Sequence, residues 1–136
     1  MQVSDYFSAH YAGAREKFRN AATGVAAAQA TYHNPATGPE GIDLSADTAW
    51  LGPPNAERVL VVMSGTHGAE TFSGSAIQVG LLRSGIAQEI ARDTGLLLIH
   101  AINPSGFAWI RRVTEGNIDL NRNFIDRGKP YPRNAG

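Results

Sequence analysis

The chain has 136 residues, 43% of them hydrophobic and 18% charged, which is the size and composition of one folded globular domain. Its 12 Lys and Arg residues balance its 12 Asp and Glu residues, so the charge predicts no surface for nucleic acid or for an anionic membrane. Cysteine is absent, which excludes disulfides and thiolate sites, so any metal site must use His, Asp or Glu.

No signal peptide is visible in the N-terminal sequence "MQVSDYFSAHYAG", which has neither a basic start nor an apolar stretch. The longest apolar runs, such as "GLLLIHAI", are too short to span a bilayer. We therefore expect a soluble, cytoplasmic protein that has no membrane partner and no nucleic-acid partner.

The first third of the chain predicts a helix and then a hairpin. Residues 4–28 carry apolar side chains at three- and four-residue steps, which is typical of an amphipathic helix that Ser4 can cap. Two short alternating segments follow, "AQATYHN" (28–34) and "GIDLSADTAWLG" (41–52), with the breaker-rich "PATGPEG" between them. These two segments are predicted to be paired strands.

The remaining sequence predicts a strand–helix–strand unit. The apolar run "RVLVVMSG" (58–65) indicates a buried strand, and so does "TGLLLIHAIN" (94–103). Residues 69–93 between them predict one helix, or two with a break at Ser84–Gly85. This order implies neighbouring parallel strands and an α/β fold. The final "IDRGKPYPRNAG" (125–136) is predicted to be a loop.

A His and a Glu directly follow the first buried strand. His67 and Glu70 lie in "SGTHGAE", and a three-residue offset at a helix start places both side chains where they can reach one ion. Two other interpretations stay open. Glu70 can simply favour a helix N-terminus, and the glycine-rich turn can bind an anion, although it has no Walker lysine and no G-x-G-x-x-G motif.

A second unusual segment, "DLNRNF", places Asn121 beside Arg122. A guanidinium next to a carboxamide is a good receptor for a carboxylate, because arginine offers a planar fork of donors. The alternative is a solvated loop in which Asp119 pairs with Arg122, an interaction worth about 0–1 kcal/mol at a surface.

In order and spacing, "SGTHGAE", "NPSGFAWIRR" and "DLNRNF" together resemble the zinc carboxypeptidase family, in the bacterial branch that is also similar to succinylglutamate desuccinylase and aspartoacylase. The usual family pattern is His-x-x-Glu, then Asn-Pro-Asp-Gly, an arginine, and Asn-Arg-Asn with an aromatic residue. The N-terminal "FSAHYAGAREKF" and "DTAWLGP" look like a largely uncharacterised bacterial subgroup, so the resemblance covers nearly the whole chain. It implies a mixed, mainly parallel sheet flanked by helices, which is the phosphorylase/hydrolase-like architecture.

The resemblance also implies roles for particular residues. His67 and Glu70 match two of the three zinc ligands of the family. Arg112 matches the arginine that polarises the scissile carbonyl, although its neighbour Arg111 stays open as an alternative. Asn121 and Arg122 match the residues that bind the terminal carboxylate of the substrate.

One position departs from the family pattern, since Ser105 stands where an Asp is usual. We expect this change to alter the turn and to leave the chemistry intact. The family's third ligand, a His, and its general-base Glu lie further downstream, and "IDRGKPYPRNAG" offers neither. Within the chain, His100 is the best alternative ligand, although a core histidine is the commoner role.

We therefore interpret residues 1–136 as the N-terminal part of a single zinc-carboxypeptidase-like domain. One Zn²⁺ is expected in the complete protein, and this chain alone need not bind it. The predicted activity is hydrolysis of a small peptide or N-acyl amino acid, at the amide bond next to a free carboxylate. A non-catalytic carboxylate-binding module is the alternative. Exposed apolar surface or unpaired strand edges on such a part favour association, so we expect a homo-oligomer or marginal stability.

Overall fold

The computed structural model describes residues 2–122, 124–126 and 128–130. Within these residues the chain forms four α-helices and four strands. In chain order they are α1 (Tyr11–Gly24), β1 (Ala28–Thr37), β2 (Asp43–Leu51), β3 (Val59–Met63), α2 (Thr71–Arg83), α3 (Ile86–Ile90), β4 (Gly95–His100) and α4 (Pro104–Ala108).

The strands form one four-stranded sheet in the order β1-β2-β4-β3. This arrangement confirms a mixed α/β fold with flanking helices, the predicted hairpin of β1 and β2, and the predicted parallel pairing of β3 with β4. One detail differs from expectation, because the described sheet is not mainly parallel. The hairpin is antiparallel, and its second strand also pairs with β4 in the antiparallel direction.

Helices α1, α2 and α3 cover one face of this sheet. Phe18, Val79 and Ala87 from the three helices share one buried cluster with Leu96 and Leu98 of β4. Two-residue spacing places Leu96 and Leu98 on the same face of β4. The residues between and after them belong to the opposite face and are only half-buried.

The predicted first helix is wrong at its start. Residues Val3–Tyr6 form a separate 3₁₀ turn, and α1 begins only at Tyr11. The cap is His10, whose ring accepts a hydrogen bond from the Gly13 amide, and not Ser4. Helix periodicity alone could not locate this break, because Tyr6 still packs against the core from the 3₁₀ turn.

The prediction that the apolar segment at residues 58–65 is a buried strand is also wrong. In the described sheet β3 lies at the edge, with β4 as its one neighbour. Its side chains are largely exposed, including Val61 at 48% and Met63 at 56%. An apolar run predicts a strand correctly but cannot tell how many neighbours that strand has.

Other predictions agree with the structure in the described residues. The break between α2 and α3 falls at Ser84–Gly85, where Gly85 has a left-handed φ of 84°. Residues 125, 126 and 128–130 are neither helix nor strand, while the rest of the predicted terminal loop lies outside the described residues. Among the described residues, no helix is both long and apolar enough to cross a membrane.

Candidate metal and carboxylate site

The ends of β3 and β4 are joined by backbone hydrogen bonds. The Ile102 amide donates to the Ser64 carbonyl and the Asn103 amide donates to the Gly65 carbonyl, both at 3.0 Å. Gly65 has a φ of 88°, and a Cβ at this position would lie 2.6 Å from the Ala101 Cα. Only glycine allows this approach, so the turn before α2 is fixed against the segment after β4.

The arginine-bearing loop is fixed against the same turn. After α4 the chain reverses at Ile110, whose φ of 52° is rare for a β-branched residue, and the Arg111 amide then bonds the Gly106 carbonyl at 2.8 Å. The Arg111 carbonyl accepts a hydrogen bond of 3.0 Å from the Gly68 amide, in the middle of "HGAE". Three separate segments therefore meet at the carboxyl end of β3.

One carboxylate links two of the predicted site residues. His67 Nε2 lies 2.9 Å from Asp119 Oδ1, and Arg112 Nε lies 2.7 Å from Asp119 Oδ2. Hydrogen bonds from His67 and then from Arg112 hold the pKa of Asp119 well below its usual range. Because an ionised carboxylate can only accept, Nε2 of His67 carries the proton and donates it.

This tautomer leaves Nδ1 of His67 as the ring atom with a lone pair. Nδ1 has no hydrogen bond to any of the residues that the structure describes. The backbone at His67 is also held, since the Thr71 hydroxyl donates to the His67 carbonyl. A histidine whose far nitrogen donates to a carboxylate is the usual arrangement for a metal ligand.

Glu70 stands immediately before α2 and is exposed. Its carboxylate accepts no hydrogen bond from the described residues. His67 and Glu70 therefore offer one imidazole and one carboxylate on the same turn, which are donors that suit zinc. Residues 2–122, 124–126 and 128–130 contain no group of three or more His, Asp or Glu that could hold a metal ion.

The predicted carboxylate receptor is exposed beside this cluster. Asp119 Oδ1 accepts from the Asn121 amide at 2.9 Å, and the Asp119 carbonyl accepts from the Arg122 amide at 3.0 Å. The alternative in which the Asp119 side chain pairs with Arg122 is wrong, because that carboxylate is engaged by His67 and Arg112. Asn121 and Arg122 follow directly from the residue that holds His67.

The two adjacent arginines differ in their contacts. Arg112 contacts Asp119, whereas the Arg111 guanidinium donates to Asn117 Oδ1 at 3.3 Å. The geometry favours Arg112 as the arginine associated with His67. Ser105 lies buried inside α4, and Asn103 caps that helix by accepting from the Gly106 amide.

Sequence reasoning missed the role of Asp119. An acidic residue two positions before Asn121 was the available signal, since metal-binding histidines commonly have a carboxylate partner. The other candidate ligand, His100, lies in the core: it is fully buried, bonds Ser75 Oγ at 2.9 Å and stacks on Phe18 at 4.7 Å. Burial lowers the pKa of His100 to about 4.

Comparison with known proteins gives a family and a fold. The sequence matches the model of a protein family of unknown function, DUF2817, over residues 7–136. The Fimbriiglobus ruber glutaminyl cyclase is similar in structure, with a TM-score of 0.50 and 13% identity over 72% of this chain and 41% of that chain. For the Macrostomum lignano glutaminyl cyclase the TM-score is 0.51 and the identity 16%, over 69% and 32%.

A Zn-dependent exopeptidase from Parabacteroides distasonis is a more distant match, with a TM-score of 0.45 and 13% identity over 68% of this chain and 38% of that chain. No curated protein matches the sequence. The two cyclase matches show the shared mixed α/β fold alone. This chain spans less than half the length of each of these solved structures.

Proposed function

We propose that this chain, which belongs to the DUF2817 family of proteins of unknown function, is the N-terminal part of a zinc-dependent hydrolase of the carboxypeptidase class. The complete enzyme cleaves a peptide or N-acyl amide bond next to a free carboxylate, and its substrate is a small peptide or an N-acyl amino acid. Residues outside this chain supply the third metal ligand and the general base. The cysteine-free composition suits work in the cytoplasm.

One observation carries this proposal. The Asp119 carboxylate binds His67 Nε2 and Arg112 Nε together, although His67 lies far from the other two residues in the chain. A carboxylate that only closed a surface ion pair would not need a histidine in a fixed tautomer. This contact directs Nδ1 of His67, together with the neighbouring carboxylate of Glu70, to the role of metal ligand.

The residues present fit a zinc ion as two of its ligands. A zinc ion bound there would lower the pKa of its water to about 7 and would polarise the carbonyl of the scissile bond. His67 would bind through Nδ1 while Asp119 keeps its Nε2 protonated. In this chain the Arg112 guanidinium is held beside His67, where it can donate to an oxyanion, and losing one such donor typically costs about 10²–10³ in rate.

The carboxylate of the substrate is assigned to Asn121 and Arg122. Their backbone amides are fixed by Asp119, so the same residue orders the metal ligand and the carboxylate receptor. Binding a group that is remote from the scissile bond orients the substrate without taking part in the reaction. Replacing Arg122 should therefore weaken substrate binding more than it slows the chemical step.

A second function is kept because of one observation. No third His, Asp or Glu completes the cluster in the described part of the chain. A non-catalytic module that binds carboxylates through Asn121 and Arg122 needs no metal. In that case carboxylate binding would persist when both His67 and Glu70 are replaced.

Zinc titration calorimetry separates the two functions. We expect the chain to bind Zn²⁺ weakly at one site, and His67→Ala and Glu70→Gln should each abolish binding. His33→Ala is the matched control, because His33 is exposed on β1, far along the sequence from the turn. Absence of specific zinc binding, with binding of an N-acetyl amino acid unchanged by His67→Ala, would support the non-catalytic module instead.

A further inference from the structure

The buried face of α2 is polar over its first two turns. Thr71, Ser75 and Gln78 follow one another at four- and three-residue steps, so they lie on one side of the helix, and each is at most 2% exposed. The apolar residues Val79 and Leu82 continue this buried side toward the end of the helix. A polar side chain is costly to bury unless it is hydrogen-bonded. The bonds of these residues therefore indicate what the polar half of the face holds in place.

Gln78 connects α2 to both β3 and β4. Its Nε2 donates to the Val62 carbonyl of β3 at 2.9 Å and to the Ile99 carbonyl of β4 at 3.0 Å. Because a carbonyl oxygen can only accept, the orientation of the amide is fixed, and Gln78 Oε1 accepts from the Ser64 hydroxyl at 2.8 Å. Ser64 Oγ in turn accepts from the Ala101 amide at 3.3 Å. One buried side chain thus joins three segments of the backbone.

These bonds close the turn that carries the two proposed metal ligands. Ser64 directly follows β3, His67 and Glu70 lie in the turn, and α2 begins at Thr71. The bond between Ser64 and Gln78 therefore joins the segment before the turn to the helix after it. Thr71 adds a second link, because its hydroxyl donates to the His67 carbonyl. The placement of His67 relative to Glu70 depends on how β3 and α2 are held together.

A glycine in α2 allows the helix and the end of β3 to approach this closely. A Cβ on Gly74 would lie 3.0 Å from the Ser64 Cβ, which is tighter than most contacts of real Cβ atoms. Glycine is unfavourable in the interior of a helix, because it has more conformational freedom to lose than alanine. Gly74 therefore weakens α2 locally and permits the approach that brings Ser64 within hydrogen-bonding distance of Gln78.

We propose that Gln78 is a positioning residue for the turn that carries His67 and Glu70. By holding α2 against the ends of β3 and β4, Gln78 keeps the imidazole and the carboxylate in a fixed relation to each other. Metal affinity depends on the groups that support the ligands, since a loosely held ligand binds less well. The effect on metal binding rests on the proposed function, whereas the ordering of the turn does not.

Gln78→Met separates this role from a contribution to packing. Methionine is of similar length and can fill the same space, but it cannot donate to the two carbonyls. The Ile99 carbonyl keeps its bond from the Ser64 amide at 2.9 Å, and the Ala101 amide keeps its bond to Ser64 Oγ. Few groups are therefore left without a partner, and we expect the variant to fold with only a modest loss of stability.

Amide hydrogen exchange in the metal-free chain tests the ordering of the turn. The Ile102 amide bonds the Ser64 carbonyl, and the Gly68 amide bonds the Arg111 carbonyl. In Gln78→Met these two amides should exchange about fivefold faster relative to the amides of the β2–β4 ladder. The reason is that the turn opens locally while the sheet stays folded.

Val79→Ala is the matched control for this measurement. Val79 is fully buried beside Gln78 in the apolar cluster, and alanine there removes core contacts while the Gln78 hydrogen bonds remain. In urea denaturation its loss of stability should be at least as large as that of Gln78→Met. The exchange of the two turn amides, relative to the β2–β4 ladder, should nevertheless match the wild type.

Zinc titration calorimetry tests the consequence for the metal site. Gln78→Met should weaken zinc binding about tenfold, and Val79→Ala should leave it unchanged. A wild-type chain that binds no zinc would contradict the proposed function, and the exchange rates would still decide whether Gln78 orders the turn.

Two results would overturn the positioning role. One is exchange of the Gly68 and Ile102 amides that is equal in Gln78→Met and in the wild type. The other is a wild-type chain that binds zinc and a Gln78→Met variant that binds it equally well.

Discussion

Two clusters in this protein are built from the same three residue types and behave differently. In the core, Arg15 donates to Asp47, which lies directly opposite His100 across the β2–β4 pairing. At the end of β3, Arg112 donates to Asp119, which also binds a histidine. The difference is burial, and it decides which histidine is available to a ligand.

In the core cluster the polar groups of Asp47 are engaged in hydrogen bonds within the fold. Burial alone would raise the pKa of Asp47, but hydrogen bonds from Arg15 and Thr31 outweigh it and leave this pKa below its usual value. The ring of His100 is enclosed, and its Nδ1 is buried without a partner among the described residues. Such a histidine stays neutral and serves packing.

In the second cluster the carboxylate positions a histidine that stays accessible. Asp119 holds the Nε2 proton of His67, whose side chain is 14% exposed, and leaves Nδ1 without a hydrogen bond to the described residues. The comparison shows that an Arg–Asp–His set is not by itself a functional site. A functional site also requires a donor atom that the core does not enclose.

The largest expected effect comes from breaking the core cluster. Asp47→Ala leaves the Arg15 side chain, only 21% exposed, without its partner, and it should lower the free energy of unfolding by about 3 kcal/mol. Urea denaturation measures the change. Asp43→Ala is the control, because Asp43 is exposed at the start of the same strand, and it should cost much less. An equal cost for the two variants would contradict the assignment.

The second effect is a pH dependence from His100. Its pKa is lowered from 6.5 to about 4 in the folded protein, so the unfolded chain binds the proton more readily. Stability should therefore fall as the pH drops from about 6.5 to about 4, by on the order of 3 kcal/mol in total. In His100→Phe this slope should be absent. A wild-type stability that is flat over this range would contradict burial as the cause.

The third effect distinguishes the role of Asp119 from that of Asp47. Asp119→Asn leaves a neutral side chain with one acceptor oxygen, which can no longer accept from both His67 and Arg112, and it should weaken zinc binding about 10–100-fold. The stability of the fold should change little, because Arg112 is half-exposed and can be solvated. Calorimetric zinc titration and urea denaturation of the same sample test both parts. Strong destabilisation by Asp119→Asn would instead show that the cluster of His67, Arg112 and Asp119 is structural, like the core cluster.

The smallest effect concerns the backbone of the arginine loop. Ile110 adopts a left-handed conformation while its side chain is 61% exposed, so strain is present without compensating burial. Ile110→Asn should raise the free energy of unfolding by up to about 1 kcal/mol, because asparagine tolerates this conformation. Thermal unfolding measures the change. A loss of stability would show that the Ile110 side chain makes a needed contact.

Sequence reasoning predicted the type of most elements and the pairing of β3 with β4. It also identified both segments that the structure brings together, because "HGAE" and "DLNRNF" each carry a rare combination of residues. It missed the 3₁₀ turn, the open side of β3 and the role of Asp119. These features depend on contacts between distant segments, and local periodicity contains no information about such contacts.

The central claim is that His67 binds a metal through Nδ1 while Asp119 holds its Nε2 proton. Long-range ¹H–¹⁵N NMR of the imidazole rings during a zinc titration tests it most directly. We expect the Nδ1 resonance of His67 to shift on adding zinc while Nε2 remains protonated, with His100 unaffected. A His67 ring that does not respond to zinc, or that responds at Nε2, would contradict the account.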